Sequence, residues 1–590
     1  MEGHPMPKHE AKVIVFRSAA EMPPMPASVA TTLYNKTGSW RYIRPVYRER
    51  TPPCNEACPA GEDIVAYLGL VADGRFREAW EVLRRENPLP GVCGRVCPHP
   101  CETQCNRERL GGAIAIHHVE RFLSDWAAEQ GLTPPPQRPT RRERIAVVGS
   151  GPAGLSCAYH LAGKGYPVTI FEADPLPGGM LRTGIPAYRL PRHVLDREIA
   201  AIEALGVEIR TGMRLGGNLS WDDLSSYAAV FLALGQPLSR KLDIPGEEAQ
   251  GVLHGLSFLR RLNLGERVEI GRRVAVIGGG NTAMDAARVA RRLGAEVTVV
   301  YRRSRAEMPA IAEEVQEAEE EGVHFHFLAA PVEVLVQDGR VSGLRCLRMR
   351  LGEPDASGRR RPEPIPGSDF TLEVDTVIPA LGQEADFSAL PEDIRRERGA
   401  VAIELTGATT RPGVYAGGDL ATGFGTVTAA IGSGKRAAIA IDRTLRGEAL
   451  PEFPALSHNM RVAPRPVSPE VVAFEELNLA YLRPIPRPAE RLRPVPERLG
   501  DFGEVNPGLD TETVVAEGQR CFSCGTCNRC DNCLIFCPDV SIRRRGDWTN
   551  AYPTYPYFEV DYDYCKGCGI CASECPRRAI TMEEELLWRK

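Results

Sequence analysis

Two stretches of the chain share one pattern: RIAVVGSGPAGLSCAYHLA at residues 144–162 and RVAVIGGGNTAMDAARVA at residues 273–290. Each begins with a short apolar run, passes through a glycine turn and continues with helical spacing. Glycines in such a turn let backbone amides approach a pyrophosphate at the helix N-terminus. The pattern therefore predicts two Rossmann-like α/β domains, each with its own dinucleotide site.

The first turn carries the full GxGxxG spacing. The following strand, VTIFE, ends in Glu172, which is placed to accept hydrogen bonds from a ribose diol. A chance GxGxxG is the alternative, but strand, turn, helix and acid occur together here. The predicted cofactor contacts in this unit are Gly149, Gly151, Pro152, Ala153, Gly154 and Glu172.

The second turn has alanine at its third position, which the pattern permits. Tyr301 stands where the first unit has Glu172, and Arg302 and Arg303 follow it. Guanidinium groups suit a 2′-phosphate, so NADPH is preferred over NADH. If both arginines are only solvated, NADH remains open. The predicted contacts are Gly278, Gly280, Asn281, Thr282, Arg302 and Arg303.

The chain has 590 residues, more than one hydrophobic core usually organises, so several domains are expected. A formal charge of -5 gives no bias toward nucleic acid or a membrane surface. The chain begins MEGHPMPKHE, without the apolar run of a signal peptide or membrane span, and we expect a cytoplasmic protein.

Sixteen of the 18 cysteines fall in two groups, at residues 54–105 and 521–575. Dense CxxC spacing in a reducing compartment favours metal or redox chemistry over disulfides. The remaining two, Cys157 and Cys346, are expected in the core.

The C-terminal group contains two runs of the form C-x2-C-x2-C-x3-C-P, which is the pattern of two-cluster bacterial ferredoxins. The fourth cysteine of each run then ligates the other cluster. A zinc ribbon is the alternative. One predicted [4Fe–4S] set is Cys527, Cys530, Cys533 and Cys575, and the other is Cys565, Cys568, Cys571 and Cys537. Cys521 and Cys524 are left without an assignment, as supporting thiols or members of another ligand set.

The N-terminal group, with GRVCP at residues 94–98, resembles the helical iron–sulfur domain of the glutamate synthase small subunit. Dihydropyrimidine dehydrogenase and the large subunit of NADH-dependent ferredoxin:NADP oxidoreductase share that domain. The resemblance also includes GSGPAG, GGMLRTGIPAYRLP (178–191), GGGNTAMD, YRRSRAEMPA and AGGD (416–419). It implies FAD at the first turn, with further contacts from Gly179, Leu181, Ile185, Gly418, Asp419, Thr426, Val427 and Thr428.

The same resemblance implies up to two N-terminal clusters. Cys58, Cys97, Cys101 and Glu120 match the ligands of the cluster nearer the flavin, although Glu120 fits a solvated helix residue equally well. Cys54 and Cys105 match the other cluster, whose usual upstream CxxC is missing. Cys93 or a partner chain could complete this second cluster; otherwise only one forms.

The expected order of segments along the chain combines these parts. It is an N-terminal arm (1–50), a helical iron–sulfur domain (51–140), a discontinuous FAD domain (141–265 and 370–450), an inserted NAD(P)H domain (266–369), a proline-rich linker (451–515) and an α+β ferredoxin-like domain (516–590).

We therefore expect an NAD(P)H:acceptor oxidoreductase subunit in a hetero-oligomer. Its partner would be a 2-oxoacid:ferredoxin oxidoreductase or ferredoxin. No side chain is assigned a catalytic role, because the cofactors carry the reaction. The alternatives are a glutamate synthase small subunit and a non-catalytic electron-wiring or scaffold subunit.

Overall fold

A computed structural model describes residues 17–21, 36–355, 358–423, 425–450, 468–545 and 557–585. Its elements are numbered along the chain. The helices are α1 (Pro53–Ala57), α2 (Ile64–Ala72), α3 (Phe76–Glu86), α4 (Pro90–Val96), α5 (Pro100–Thr103), α6 (Ile116–Glu129), α7 (Pro152–Ala162), α8 (Met180–Thr183), α9 (Arg192–Glu203), α10 (Trp221–Leu224), α11 (Gly255–Asn263), α12 (Asn281–Arg292), α13 (Ala312–Glu320), α14 (Asp419–Thr422), α15 (Val427–Leu445), α16 (Val495–Gly500), α17 (Thr511–Arg520), α18 (Asn532–Ile535) and α19 (Ile570–Ser573).

The strands are β1 (Ile43–Tyr47), β2 (Arg50–Thr51), β3 (Ile145–Val148), β4 (Val168–Phe171), β5 (Glu208–Arg210), β6 (Ala229–Leu232), β7 (Leu238–Ser239), β8 (Arg273–Ile277), β9 (Glu296–Tyr301), β10 (His324–Phe327), β11 (Ala329–Gln337), β12 (Arg340–Pro354), β13 (Arg360–Pro364), β14 (Phe370–Leu372), β15 (Thr376–Pro379), β16 (Gln383–Glu384), β17 (Arg396–Glu397), β18 (Ala400–Val401), β19 (Val414–Ala416), β20 (Ser468–Val471), β21 (Ile542–Arg544), β22 (Phe558–Val560) and β23 (Ile580–Glu584).

The described chain divides into two units. The larger unit contains the described parts of 53–464 and 484–521, and the smaller one those of 1–52, 465–483 and 522–590. The predicted arm at 1–16 and 22–35, and the predicted linker at 451–467, lie outside the described residues.

Two parallel sheets form the α/β part of the larger unit. One has the strand order β19-β6-β3-β4-β5 and the other β10-β9-β8-β15. Strands β3, β4 and β6 are buried along their whole length, as expected for apolar strands covered on both faces. Each glycine turn follows a central strand of its sheet, at the carboxyl end where nucleotides bind. An antiparallel sheet of β11, β12, β13 and β14 lies between β10 and β15 in the chain.

Helices α1–α6 form the helical part of the larger unit, in which α4 packs against α6 and α2 against α3. Helix α2 is almost entirely buried, because its composition is nearly all apolar. Residues 484–521 also belong to this unit and contain α16 and α17, whereas the sequence predicted a linker without regular elements over 451–515. The prolines permit α16 because they lie before it and in its first turn, where no amide donor is needed.

The smaller unit contains the ferredoxin-like module. Strand β1 pairs antiparallel with β23, from Ile43 opposite Glu584 to Tyr47 opposite Ile580, and β21 pairs with β22. Its hydrophobic core includes Ile542 and Phe558 together with Cys533 and Cys571. Residues 43–47, which the sequence assigned to an arm, thus form a strand of this module.

Candidate cofactor sites

The first glycine turn joins β3 to α7. Gly149 has a φ of +104°, and a Cβ there would lie 2.3 Å from the carbonyl oxygen of Ala233. A Cβ on Gly154 would lie 2.0 Å from the carbonyl oxygen of Gly149, whereas one on Gly151 would meet open space. The first glycine is therefore needed for conformation, the third for packing, and the middle one leaves room for a pyrophosphate.

Glu172 lies directly after β4 and is buried. Its carboxylate accepts hydrogen bonds from the amide of Ser150 at 2.9 Å, the amide of Asp174 at 2.7 Å and the Ser150 hydroxyl. The same hydroxyl oxygen accepts the amide of Gly178 at 2.9 Å. Glu172 thus fastens the glycine turn to the loop that follows β4, and its predicted contact with a ribose remains a prediction.

The segment around α8 lies against the first turn. Gly179 has a φ of +52°, and a Cβ there would lie 2.8 Å from the Cα of Gly151. Leu181 is buried, and the carbonyl of Ile185 accepts a hydrogen bond from Arg192 at 2.7 Å. The backbone of Gly179 therefore borders the turn, while Leu181 and Ile185 fix the segment that carries it.

Helix α15 packs closely on α7. A Cβ on Gly434 would lie 2.1 Å from the carbonyl oxygen of Ala153, and one on Gly418 would lie 3.0 Å from the Cβ of Ala153. Pro152 begins α7, where a missing amide hydrogen costs nothing. Burial raises the pKa of Asp419, the next residue after Gly418, to about 6. The Gly418-Asp419 pair and the first turn therefore border one cradle, which fits the predicted FAD.

The N-terminus of α15 is shaped by two threonines. Thr426 caps the helix, and its hydroxyl accepts the amide hydrogen of Ala429 at 3.2 Å. Thr428 is buried with its Oγ1 3.3 Å from that of Thr426, and Val427 between them is half-buried. The positive end of this 19-residue helix is thus held in a fixed geometry.

The helical part touches this end of α15. The Sγ of Cys97 lies 3.5 Å from the Oγ1 of Thr428. About two helical turns further along, the buried Lys435 donates to the carbonyl of Ala60 at 2.9 Å and to the carboxylate of Glu86, which is also buried. Breaking a buried ion pair is costly, so this contact fixes the thiols relative to α15.

Four predicted ligands of one N-terminal cluster come together. Burial raises the pKa of Cys58 and of Cys101, and the nearby charge of Cys97 acts on both. Burial also raises the pKa of Glu120, which lies beside Cys97. Thiolate sulfur with one carboxylate oxygen is a donor set that fits an iron–sulfur cluster.

Glu62 was not predicted from the sequence, yet it lies at the same place. Asn87 donates to Glu62 at 2.8 Å and to Glu120 at 2.8 Å, and Tyr67 donates to Glu62 at 3.3 Å. All four residues are buried. The only sequence signal was the spacing of Glu62 four residues after Cys58, which does not separate a buried carboxylate from a surface one.

The other N-terminal cysteines separate into two places. Cys93 is buried beside Glu120 and Cys97. Cys105 is partly exposed and accepts hydrogen bonds from the backbone amides of Arg107 and Ile114. Cys54 lies in α1, which packs against α5. Cys93 therefore lies with Cys97 and Glu120, whereas Cys105 lies after the end of α5.

The second glycine turn joins β8 to α12. Gly278 has a φ of +145°, and a Cβ there would lie 2.3 Å from the carbonyl oxygen of Ala380. The ring of Tyr301 packs against Gly279, where a Cβ would come within 2.6 Å of it. Gly280 is open apart from Pro309 at 4.0 Å, so the turn presents space to a pyrophosphate as the first turn does.

The first residues of α12 differ in role. The Oδ1 of Asn281 accepts the amide of Ile311 at 2.9 Å, and Thr282 is half-buried beside it. Asn281 therefore ties the turn to the segment before α13, and the predicted contact of Thr282 with the dinucleotide stays a prediction.

The two arginines after β9 differ in their burial and in their contacts. Arg302 is exposed, whereas Arg303 is buried and donates to Asp355 at 2.7 Å and to the carbonyl of Arg360 at 2.8 Å. The guanidinium of Arg303 is therefore engaged within the protein, and the contact of both arginines with a 2′-phosphate stays a prediction. The exposed guanidinium of Arg302 is the one we consider for the 2′-phosphate. Partial burial lowers the pKa of Arg302, and the nearby charge of Arg359 lowers it as well.

The C-terminal thiols group as the ferredoxin pattern predicts. Burial raises the pKa of Cys527 to about 12, and the charges of Cys533, Cys575 and Cys530 act on it. Cys571 is likewise affected by the charges of four other cysteines, which are Cys565, Cys533, Cys568 and Cys537. The last cysteine of each run therefore lies with the first three of the other run.

One contact to these thiols comes from outside the two runs. The hydroxyl of Tyr47 in β1 donates to the Sγ of Cys533 at 3.2 Å, and its ring stacks on Phe558 with centroids 5.9 Å apart. Hydrogen bonds to cluster sulfurs tune reduction potential. No spacing in the sequence indicated this partner, because Tyr47 is almost 500 residues away in the chain.

Three family models match the chain. Residues 143–434 match the pyridine nucleotide-disulphide oxidoreductases, 47–132 match dihydropyrimidine dehydrogenase domain II with its 4Fe-4S cluster, and 558–581 match the 4Fe-4S binding domain. Among similar proteins, the NADP(+)-dependent formate dehydrogenase subunit beta of Moorella thermoacetica is 45% identical over 508 residues, which cover 80% of this chain and 70% of that protein. The chain therefore belongs to the family of oxidoreductase subunits that includes this formate dehydrogenase subunit beta.

Two further relatives extend the family. The NADPH-Fe(3+) oxidoreductase subunit beta of Geobacter sulfurreducens (strain DL-1 / KN400) is 41% identical over 519 residues, covering 80% of this chain and 75% of that protein. The glutamate synthase [NADPH] small chain of Escherichia coli (strain K12) is 37% identical over 411 residues, covering 66% and 87%.

These matches confirm the predicted family and the prediction of an oxidoreductase that uses FAD, a nicotinamide dinucleotide and [4Fe–4S] clusters. The zinc alternative for the C-terminal cysteines is not supported. Within the described ranges, no helix is both long and apolar enough to cross a membrane.

Proposed function

We propose that this chain is the NADP(H)-binding electron-transfer subunit of a cytoplasmic hetero-oligomeric oxidoreductase. It exchanges electrons between the nicotinamide and a separate catalytic subunit. The names of its relatives support NADP as the coenzyme, since they specify NADP(+) or NADPH. The dense CxxC spacing supports a reducing compartment, where metal and redox chemistry is favoured over disulfides.

The contact between Cys97 and Thr428 carries the proposal. It joins a proposed cluster ligand to the first turn of α15, whose N-terminus faces the FAD cradle, at 3.5 Å. The buried pair of Lys435 and Glu86 holds the same contact in place. Electron transfer needs cofactors held close together, and this packing supplies a fixed approach.

The residues of the two turns bind and orient rather than transfer protons. FAD, when bound, supplies the conversion between two-electron hydride transfer and one-electron transfer. Gly149 and Gly278 allow each dinucleotide backbone to approach, and the N-terminus of α15 offers positive potential to the flavin ring. Arg302 is the residue we propose for recognition of the 2′-phosphate.

The C-terminal module would connect this centre to the partner. We propose Cys527, Cys530, Cys533 and Cys575 for one cluster and Cys537, Cys565, Cys568 and Cys571 for the other. Partners consistent with this wiring are a formate dehydrogenase catalytic subunit, a 2-oxoacid:ferredoxin oxidoreductase or free ferredoxin.

An anaerobic titration of the holoprotein with NADPH and with NADH tests the proposal. We expect NADPH to bleach the flavin absorbance and then to produce reduced-cluster signals in electron paramagnetic resonance (EPR) spectra. The Cys568→Ser variant should keep the bleaching and lose one C-terminal cluster signal. Absence of bleaching with both coenzymes would leave the scaffold alternative standing.

A glutamate synthase small chain is the second candidate, because the Escherichia coli relative is matched over 87% of its length. The further match to the 4Fe-4S binding domain at 558–581, in a chain of which that relative covers 66%, weighs against it. Stimulation of glutamate formation by an added glutamate synthase large subunit would favour this second candidate.

A further inference from the structure

Only two ligands of the second N-terminal cluster are found in the N-terminal cysteine group, and two more are needed. Cys54 and Cys105 match that cluster in the resemblance, but no cysteine precedes Cys54. Cys93, the substitute considered from the sequence, lies beside Cys97 and Glu120. Any further ligand from this chain must therefore come from a distant segment.

Helix α17 brings such a segment to the helical part. It packs against α2 and α6, and a Cβ on its Gly518 would lie 2.8 Å from both the amide of Ala72 and the carbonyl oxygen of Leu68. Only glycine permits this approach. The buried Glu517 accepts the amide of Ala115 at 2.8 Å, so the last turn of α17 is fixed to the start of α6.

The end of α17 is fastened to the loop that follows Cys105. Arg520 is buried and donates to the carbonyls of Gly111 and Gly112, each at 2.9 Å, and to that of Ile485 at 3.1 Å. Arg107 donates to the same carbonyl of Ile485 at 3.0 Å. These bonds hold the next residue, Cys521, beside the Cys105 loop.

Cys105 itself has the surroundings of a cluster ligand. Backbone amides of Ile114 and Arg107 donate to its sulfur, and Cys521 lies close enough to act on it electrostatically. Amide hydrogen bonds to sulfur are a usual feature of iron–sulfur sites. The charges of both Cys105 and Cys521 also act on Arg107, so the two thiols lie within one small region.

We propose that Cys521 is a ligand of the second N-terminal [4Fe–4S] cluster, together with Cys105 and Cys54. The thiol delivered by α17 replaces one that the family takes from an upstream CxxC. Cys521 follows α17 directly and belongs to the larger unit, as Cys54 and Cys105 do. The proposal assigns Cys521, one of the two cysteines that the ferredoxin runs leave over.

The test compares single and double variants of the full-length holoprotein, reconstituted anaerobically. Cys105→Ser and Cys521→Ser should each lose about four iron atoms per chain and the same EPR signal. The double variant should lose no more than either single variant, because all three disrupt one cluster. Cys568→Ser is the matched control, which should lose a different EPR signal and add its loss to that of Cys521→Ser.

Retention of FAD shows that each variant is folded, and flavin bleaching by NADPH reports the proposed function separately from cluster content. The proposal is overturned if Cys521→Ser keeps the wild-type iron content and EPR spectrum, or if the double variant loses about eight iron atoms. It is also overturned if Cys105→Ser loses no iron, since the second cluster would then not form.

Discussion

The two glycine turns have the same backbone and different surroundings. In both, a Cβ on the first glycine would lie 2.3 Å from a carbonyl oxygen of the neighbouring strand end. At the end of the next strand, however, the first unit has the buried Glu172 bonded to its turn, and the second has Tyr301 packed against Gly279. The two units therefore share the backbone of the turn and differ in the side chain that packs against it from the end of the next strand.

The comparison also shows how neighbouring residues acquire different roles. Arg302 and Arg303 are adjacent and identical in type, yet one is exposed and the other is paired with Asp355. The guanidinium of Arg303 is thus engaged within the protein, which is why Arg302 is the arginine that we propose for the coenzyme.

The largest effect is expected from the first glycine of each turn. Gly149→Ala should yield protein without FAD, whereas Gly278→Ala should keep FAD and lose NADPH binding, because each Cβ would meet a backbone oxygen that has no freedom to rotate away. Flavin absorbance and calorimetric titration with NADPH measure the two outcomes.

Gly294→Ala controls for backbone strain alone in these glycine variants. Its φ is +90° but a Cβ would meet nothing within 4 Å, so the expected cost is about 1 kcal/mol of stability with both ligands retained. Full FAD occupancy in Gly149→Ala would contradict the steric argument.

The next effect separates the two arginines. Arg302→Ala should weaken NADPH binding about tenfold to a hundredfold and leave NADH binding nearly unchanged, the range for losing charge-assisted hydrogen bonds. Arg303→Ala should lower thermal stability instead, because the ion pair between Arg303 and Asp355 is lost. Dissociation constants for both coenzymes test this, and equal losses of NADPH and NADH in Arg302→Ala would show that the 2′-phosphate is read elsewhere.

A smaller effect concerns the acid beside the first turn. Burial raises the pKa of Asp419 from its usual 3.8 to about 6, so the folded protein binds its proton more tightly than the unfolded chain does. Stability from this group is therefore lost as pH rises through that range, by about 1 kcal/mol between pH 5 and pH 7.

Asp419→Asn should remove this dependence. The melting temperature followed by flavin fluorescence should fall more with rising pH in the wild type than in the variant. Parallel pH profiles for the two proteins would refute the assignment to Asp419.

The smallest effect is expected at Tyr301. Its hydroxyl donates to the carbonyl of Glu307 at 2.8 Å, and its ring covers Gly279. Tyr301→Phe keeps the ring and should cost about 1 kcal/mol of stability with little change in NADPH affinity. A large loss of NADPH affinity would indicate that the hydroxyl contacts the coenzyme.

Much of the architecture was predictable because it is encoded in short-range spacing. Three glycines and a helix start define each dinucleotide turn, and the two C-x2-C-x2-C-x3-C-P runs define a ferredoxin module. The oxidoreductase family and its cofactors followed from these patterns, since each one reflects local backbone geometry.

Residues brought together by packing were not predictable in this way. Glu62 beside Glu120, Tyr47 beside Cys533 and Cys521 beside Cys105 are all separated widely in the chain or hidden among ordinary surface residue types. The same holds for the predicted linker 451–515, whose described part contains α16 and the first half of α17.

The sequence by itself determined the two nucleotide turns, the number of thiols and the order of the modules, because these depend on neighbours along the chain. Only the tertiary structure decided which arginine is buried against Asp355, which carboxylates join the thiols and where Cys521 lies. Those outcomes depend on which buried surfaces and ion pairs can be satisfied at once, as in the Lys435–Glu86 contact that holds α15 to the helical part.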